Sequence, residues 1–173
     1  MQAAETGGVA PAKSLADELR EVREGLKRDR KPKEIPLPGY GDKLIPMYRV
    51  IDYDEIGEIG EKAAAAVSAN EDEDAGLFAM CSTLITACVG FYTKRDGKLV
   101  PLEDAEPGME GGPIRWGDPR LAKFVGYEID TNDYKASEIL REVLPDKALI
   151  VRHHNRVTNW MERAREEVEA DFS

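Results

Sequence analysis

Residues 76–92, Gly-Leu-Phe-Ala-Met-Cys-Ser-Thr-Leu-Ile-Thr-Ala-Cys-Val-Gly-Phe-Tyr, carry no charge in a chain where 34% of residues are charged. Leu77, Phe78, Met80, Cys81, Leu84, Ile85, Cys88, Val89 and Tyr92 recur at spacings of three and four. That spacing sets an apolar stripe on one face of a helix, with Ser82, Thr83, Thr86 and Ala87 as a smaller neutral face. A helix apolar or neutral all round is buried on most sides. At helical rise the run is about 25 Å long, and it is too short and too rich in hydroxyls for a hydrocarbon core of ~30 Å. Glu71 to Asp74, just before it, would sit at the positive end of the helix dipole, where carboxylates are favoured. The fold class expected from this stretch is mainly α: a helical domain around a buried central helix, with one or two small β-hairpins.

Working outward towards the C-terminus, Phe91 to Val100 reads as a β-hairpin whose Asp96-Gly97 supplies the positive-φ turn. Residues 101–117 form a Gly- and Pro-rich loop with Ile114 and Trp116 as anchors to the core. Asp118-Pro119 opens a short helix, with Asp as cap and Pro in the first turn. Asn132 or Asp133 caps another, running to Leu144. The last segment, Pro145 to Phe172, is strongly amphipathic, with Leu149, Val157, Trp160, Met161, Ala164, Val168 and Phe172 in one stripe. His153 and His154 fall about 100° apart on it, one towards the core and one towards water, which is wrong for a two-histidine metal site.

Towards the N-terminus, residues 52–70 form a helix capped by Asp52 or Asp54. The acidic run Asn70 to Asp74 fails as a calcium loop, since Ala75 replaces a ligand and no acid closes it. Residues 34–51 read as two short extended segments around a Gly-rich turn, kept to edge or two-stranded positions by their prolines. Gly39 to Lys43 lacks the spacing of a phosphate loop and reads as a turn. Ser14-Leu15-Ala16-Asp17 matches a capping box that opens a helix to about Arg30. Its apolar seam is thin, Leu15, Leu19, Val22 and Leu26, and Gly25 weakens it by about 1 kcal/mol. Such a helix needs a partner surface, within the protein or from another chain. The expected organisation is a disordered stretch over 1–12, a charged helical arm over 13–33 and a single mainly helical domain over 34–173.

At 173 residues the chain is long enough to bury a real core. Its 34 acidic and 24 basic residues give a net charge of −10, which disfavours non-specific binding to nucleic acid. Lys13 to Lys33 holds eight basic and five acidic residues, so the arm is locally basic and the remainder more acidic still. Cys81 and Cys88 would lie two turns apart on one helix, too far for a disulfide, which fits a reducing cytoplasm. Met1 to Ala12 shows no signal-peptide pattern. No paired-cysteine spacing, nucleophile elbow, HExxH or dinucleotide fingerprint occurs. The expectation is therefore a protein that is no enzyme and uses no cofactor, metal, nucleic acid or membrane.

The charged N-terminal helix, Ile35-Pro36-Leu37-Pro38-Gly39-Tyr40, the Leu44 and Tyr48-Arg49 that follow, and the final amphipathic helix with Trp160-Met161 give a layout with a likeness. It resembles the tail assembly chaperones of long-tailed, siphovirus-type bacteriophages, especially those of actinobacterial hosts, over most of the chain after about Ser14. The resemblance implies a protein of the host cytoplasm that is absent from the mature virion. It would coat the long apolar helical tape measure protein, help recruit tail tube subunits and be displaced as the tube grows, with a homo-oligomer among its possible forms. Many such proteins also occur in a longer, frameshifted form. The likeness transfers no ligand residues.

The chain's own residues nominate Val157, Trp160, Met161, Ala164 and Val168 as the client-binding surface. An apolar helix is held in a groove by amphipathic helices, Trp anchors interfaces and Met adapts to varied partners. The competing reading is that this stripe closes the domain's own core. Two other classes are a virion structural protein, such as a tail or head–tail connector subunit, and a nucleic-acid-binding regulator acting through the Lys13–Lys33 helix.

Overall fold

In the computed structural model, which describes residues 11–28 and 31–171, the uncharged stretch changes structure part-way along. The first ten residues of the segment expected to be disordered lie outside the described residues, as do Asp29-Arg30 and Phe172. Two compact units part between Lys31 and Pro32. The first contains α1 (Leu15–Arg28), whose start is capped as its sequence predicts: Ser14 Oγ accepts from the Asp17 amide at 3.2 Å.

The helix within the uncharged stretch, α3 (Ala75–Ala87), begins at an Asp74 cap that accepts from the Leu77 amide. It stops at Ala87, and Cys88–Arg95 is a strand. Val89, Phe91, Tyr92 and Thr93 suit a pleated surface, and Gly90 weakens a helix. The last α3 carbonyls are taken by Arg49, whose amide donates to Ala87 O at 2.9 Å and whose Nη2 reaches Thr86 O at 3.4 Å. A cation at this helix end also complements the dipole. The expected mainly α domain around one long central helix is therefore corrected to a mixed α/β fold: the described residues are 54% helical, and the second unit holds a four-stranded antiparallel sheet. Cys88, Val89 and Tyr92 continue the three-and-four spacing of α3, so the apolar head of β3 imitates a helical stripe.

The sheet has the order β1-β2-β3-β4, with β1 (Lys33–Glu34), β2 (Ile45–Tyr48), β3 (Cys88–Arg95) and β4 (Lys98–Pro101). The β3–β4 hairpin turns at Asp96 (φ 52°) and Gly97 (φ 75°), the positive-φ pair that a two-residue connection requires. β2 lies between β1 and β3, so the proline-bearing segment is an interior strand, against the sequence expectation. Pro46 is tolerated because Phe91, its partner on β3, turns its amide the other way, to Ile114 O at 2.8 Å. On the β1 side Ile35 donates to Pro46 O, and proline has no N–H to return the bond. A register shift between Met47 and Tyr48 leaves Val89 unpaired, a bulge that bends the strand where Tyr48 meets Cys88.

α2 (Tyr53–Ala69) opens with a complete capping box, Asp52 with Glu55, and Arg49 also holds Glu55 through two nitrogens at 2.9 and 2.5 Å. One arginine thus ties the start of α2 to the end of α3. After β4 come α4 (Leu102–Ala105), α5 (Pro119–Phe124, capped by Asp118), α6 (Ala136–Val143) and α7 (Lys147–Asp171). The cap expected at Asn132 or Asp133 is displaced to Lys135, because both residues belong to a turn closed on Asp130. Tyr40 donates to Val143 O at 2.6 Å and so pins the Gly39–Gly41 turn to the end of α6. α2, α6 and α7 each pack against α3.

The core joins Leu84, Phe91, Leu102, Ile114, Trp116, Leu121, Ile139 and Leu140, all fully buried. Each such side chain stabilises the fold by ~1.5–3 kcal/mol relative to exposure. Among the described residues no helix is long and apolar enough to cross a membrane.

Candidate functional site

The final helix presents two faces. Ile150, His153, Val157 and Met161 are buried, so the centre of the predicted client-binding stripe belongs to the core. Val157 and Met161 are spent on the domain itself. Trp160 and Ala164 are only partly buried and pack at the edge of that core, with Val168 a turn further on. Phe172 lies outside the described residues.

Trp160 and Ala164, with Arg156, Asn159, Arg163 and Glu167, line an open groove whose other wall is Lys33 to Pro36. The groove encloses about 550 Å³. Successive spacings of three and one put these six α7 residues on one side of the helix. The opposite wall is β1 and its extension, at a sheet edge that pairs with no further strand among the described residues. Ala164 leaves room that a larger side chain would fill, and Trp160 supplies a broad apolar wall with one N–H donor.

The polar rim is mixed: Lys33, Arg156 and Arg163 against Glu34 and Glu167. This small excess of positive charge contrasts with the acidic whole. Glu34 Oε1 lies 3.7 Å from Lys94 Nζ, while its buried Oε2 has no hydrogen-bond partner among the described residues. Chemically the arrangement offers an apolar slot with a cationic lip and one unsatisfied carboxylate oxygen. It offers no paired acid and base, and no group of three or more His, Cys, Asp or Glu able to hold a metal occurs among the described residues.

A fully buried polar constellation lies behind this face. Trp116 Nε1 donates to Tyr48 Oη at 3.2 Å, and Tyr48 Oη lies 2.7 Å from His153 Nε2. All three residues are sealed from solvent. The indole N–H can only donate, so the phenol proton is left for Nε2, and the imidazole stays neutral with its own proton on Nδ1. Nδ1 makes no well-formed hydrogen bond. Burial, assisted by the Arg156 charge and His154, lowers the His153 pKa to about 4, and the nearby Pro36 carbonyl opposes this only weakly. Burial likewise pushes the Tyr48 phenol well above its usual range. Groups this inaccessible act as a polar clamp joining β2, the 113–116 loop and α7.

The two cysteines sit apart, Cys81 on α3 and Cys88 at the head of β3, correcting the expectation of one shared helix. Both are free and buried. Burial raises the Cys81 thiol and pushes Cys88 to about 12, so neither is primed as a nucleophile. Of the two histidines, His153 faces the core and His154 is partly exposed.

Sequence reasoning placed Trp160 and Ala164 at the site but missed Ile35, Pro36 and the charges around them. Their available signal was the exposed Pro36 within an extended, proline-rich segment, which marks a sheet edge. Comparison with protein-family models, curated proteins and solved structures finds no match to this chain.

Proposed function

We propose that this protein acts by binding another polypeptide, as a tail assembly chaperone of a long-tailed bacteriophage, without a covalent step of its own. The groove between α7 and the Lys33–Pro36 segment takes the apolar ridge of a helical client, the tape measure protein. The observation that carries this reading is the pairing of partly buried Trp160 and Ala164 with Ile35 and Pro36 along one open slot. A client helix anchors such a slot through side chains at i, i+3 and i+4. A net charge of −10 supports the same job by keeping a coated hydrophobic client in solution. The protein acts in the host cytoplasm, helps bring in tail tube subunits and leaves before the virion is complete.

Coexpression with fragments of the client tests this. The wild-type chain keeps the fragments soluble. Ala164→Glu, which fills the slot and adds a charge, lets them precipitate while the variant itself stays folded by circular dichroism. Fragments that precipitate equally with and without the wild-type chain defeat the proposal.

A further inference from the structure

We propose that α1 is a self-association element: copies of this chain join through a parallel coiled coil of their Leu15–Arg28 helices. The helix displays its apolar residues outward, with Leu15 71%, Leu19 60% and Val22 49% exposed. Its sequence continues the seam with Leu26. Spacings of four, three and four are the alternation of d and a positions in a heptad, with Leu15 and Val22 at d and Leu19 and Leu26 at a. Asp17, Arg20, Glu21 and Glu24 then fall on the outer b, c and f positions.

The flanking positions identify the occupant. In this register Glu18 is at g and Arg23 at e, five residues later. In a parallel coiled coil a g residue meets the e residue of the next heptad on the neighbouring helix. Each Glu18 therefore faces an Arg23 of another copy, and the symmetry repeats the pair. In an antiparallel pairing, g meets g and e meets e, so Glu18 would face Gly25 or another Glu18, and Arg23 would face Ala16 or another Arg23. Neither Glu18 nor Arg23 has an ion-pair partner among the described residues, whereas Asp17 engages Arg20 at 3.5 Å and Lys13 engages Glu21. Ala16 and Gly25, the other e and g residues, are small, and a side chain at Gly25 would meet nothing within 4 Å. A 14-residue helix is marginal alone, so association and full helicity of the arm rise together. This inference rests on α1 and is independent of the groove.

Sedimentation of the full chain, with circular dichroism, over about 1 μM to about 1 mM covers the range from tight to weak association. The wild-type chain forms a concentration-dependent oligomer of one size. E18R and R23E each weaken it roughly tenfold or more, since every attractive pair becomes repulsive. Mixing the two variants in equal amounts restores association, because the E18R chain carries arginine at both flanking positions and the R23E chain carries glutamate at both. Leu19→Asp abolishes association without changing the melting of the 32–173 unit. The proposal is overturned by a monomer at every concentration, by an oligomer indifferent to Leu19→Asp, or by a mixture no tighter than its components. A full chain that stays monomeric yet loses a bound client fragment on Leu19→Asp overturns it in favour of a client-docking arm.

Discussion

Replacing Tyr48 with Phe removes one oxygen from a site sealed on every side. That oxygen accepts from Trp116 Nε1 at 3.2 Å and serves His153 Nε2 at 2.7 Å, and none of the three residues is exposed. The apolar packing of the ring is kept, including its tilted contact with His153 at 5.5 Å between centroids. The loss therefore reports on hydrogen bonding. Two buried polar groups are left without a partner, each at a cost of about 1–3 kcal/mol, so the variant loses ~2–6 kcal/mol. Against a net stability of ~5–15 kcal/mol this is a large share. In urea, with a slope of ~2 kcal/mol per M, the midpoint falls by about 1–3 M at an unchanged slope. Trp116 emission monitors the transition. A midpoint shift below about 0.25 M, equivalent to under ~0.5 kcal/mol, refutes the polar clamp.

The same clamp sets a pH dependence. The folded state holds His153 at about 4 against an ordinary value of 6.5, so between these values the unfolded chain binds a proton that the folded chain refuses. Stability is full above pH 6.5, falls by about 3 kcal/mol as pH drops towards 4, and gains no further slope from His153 below that. His154, also lowered by burial, adds in the same sense, so urea midpoints of His153→Leu retain a shallow slope over this window; a slope as steep as that of the wild type contradicts the assignment. Arg120→Lys loses its fork onto Asp118 and the carbonyls of Met109, Glu110 and Gly112; limited proteolysis should cut the 106–117 loop faster, with a loss of about 1–3 kcal/mol in thermal unfolding. Gly111→Ala acts on the same latch, since φ is 136° and a Cβ would lie 2.8 Å from Arg120 Nη1, and its melting point should fall where Gly112→Ala changes little. Neither cysteine should react with a thiol reagent at pH 8 in the folded chain, and both should react in urea; fast labelling of Cys88 in the folded state contradicts its burial.

The sequence was most legible where one residue type has one conformational use. Asp96-Gly97 can make little but a positive-φ hairpin turn, Asp118-Pro119 opens a helix, and Ser14 with Asp17 caps one. The helix-to-strand change at Cys88 was hidden because Cys88, Val89 and Tyr92 extend the spacing of Leu77 to Ile85, and the bulge at Val89 breaks the alternation of the strand where it begins. What ends α3 is distant in sequence: Arg49 capping Thr86 and Ala87, and β2 pairing with β3. Pro46 looked like an edge marker, yet it fits an interior strand because Phe91 turns its amide away. The α7 stripe was correctly apolar, but periodicity cannot say which apolar residues the domain keeps for itself. His153, Val157 and Met161 went inward, leaving Trp160 and Ala164 for the groove, whose second wall comes from a segment more than a hundred residues earlier.

The groove is tested most directly by Trp160 emission while a client helix is titrated in. Trp160 is partly exposed and Trp116 fully buried, so filling the slot should shift the Trp160 signal to the blue and saturate it, and Trp160→Phe should abolish the change. A client that cosediments with the protein while the emission stays unmoved, or that shifts the Trp160→Phe variant equally, would place binding elsewhere.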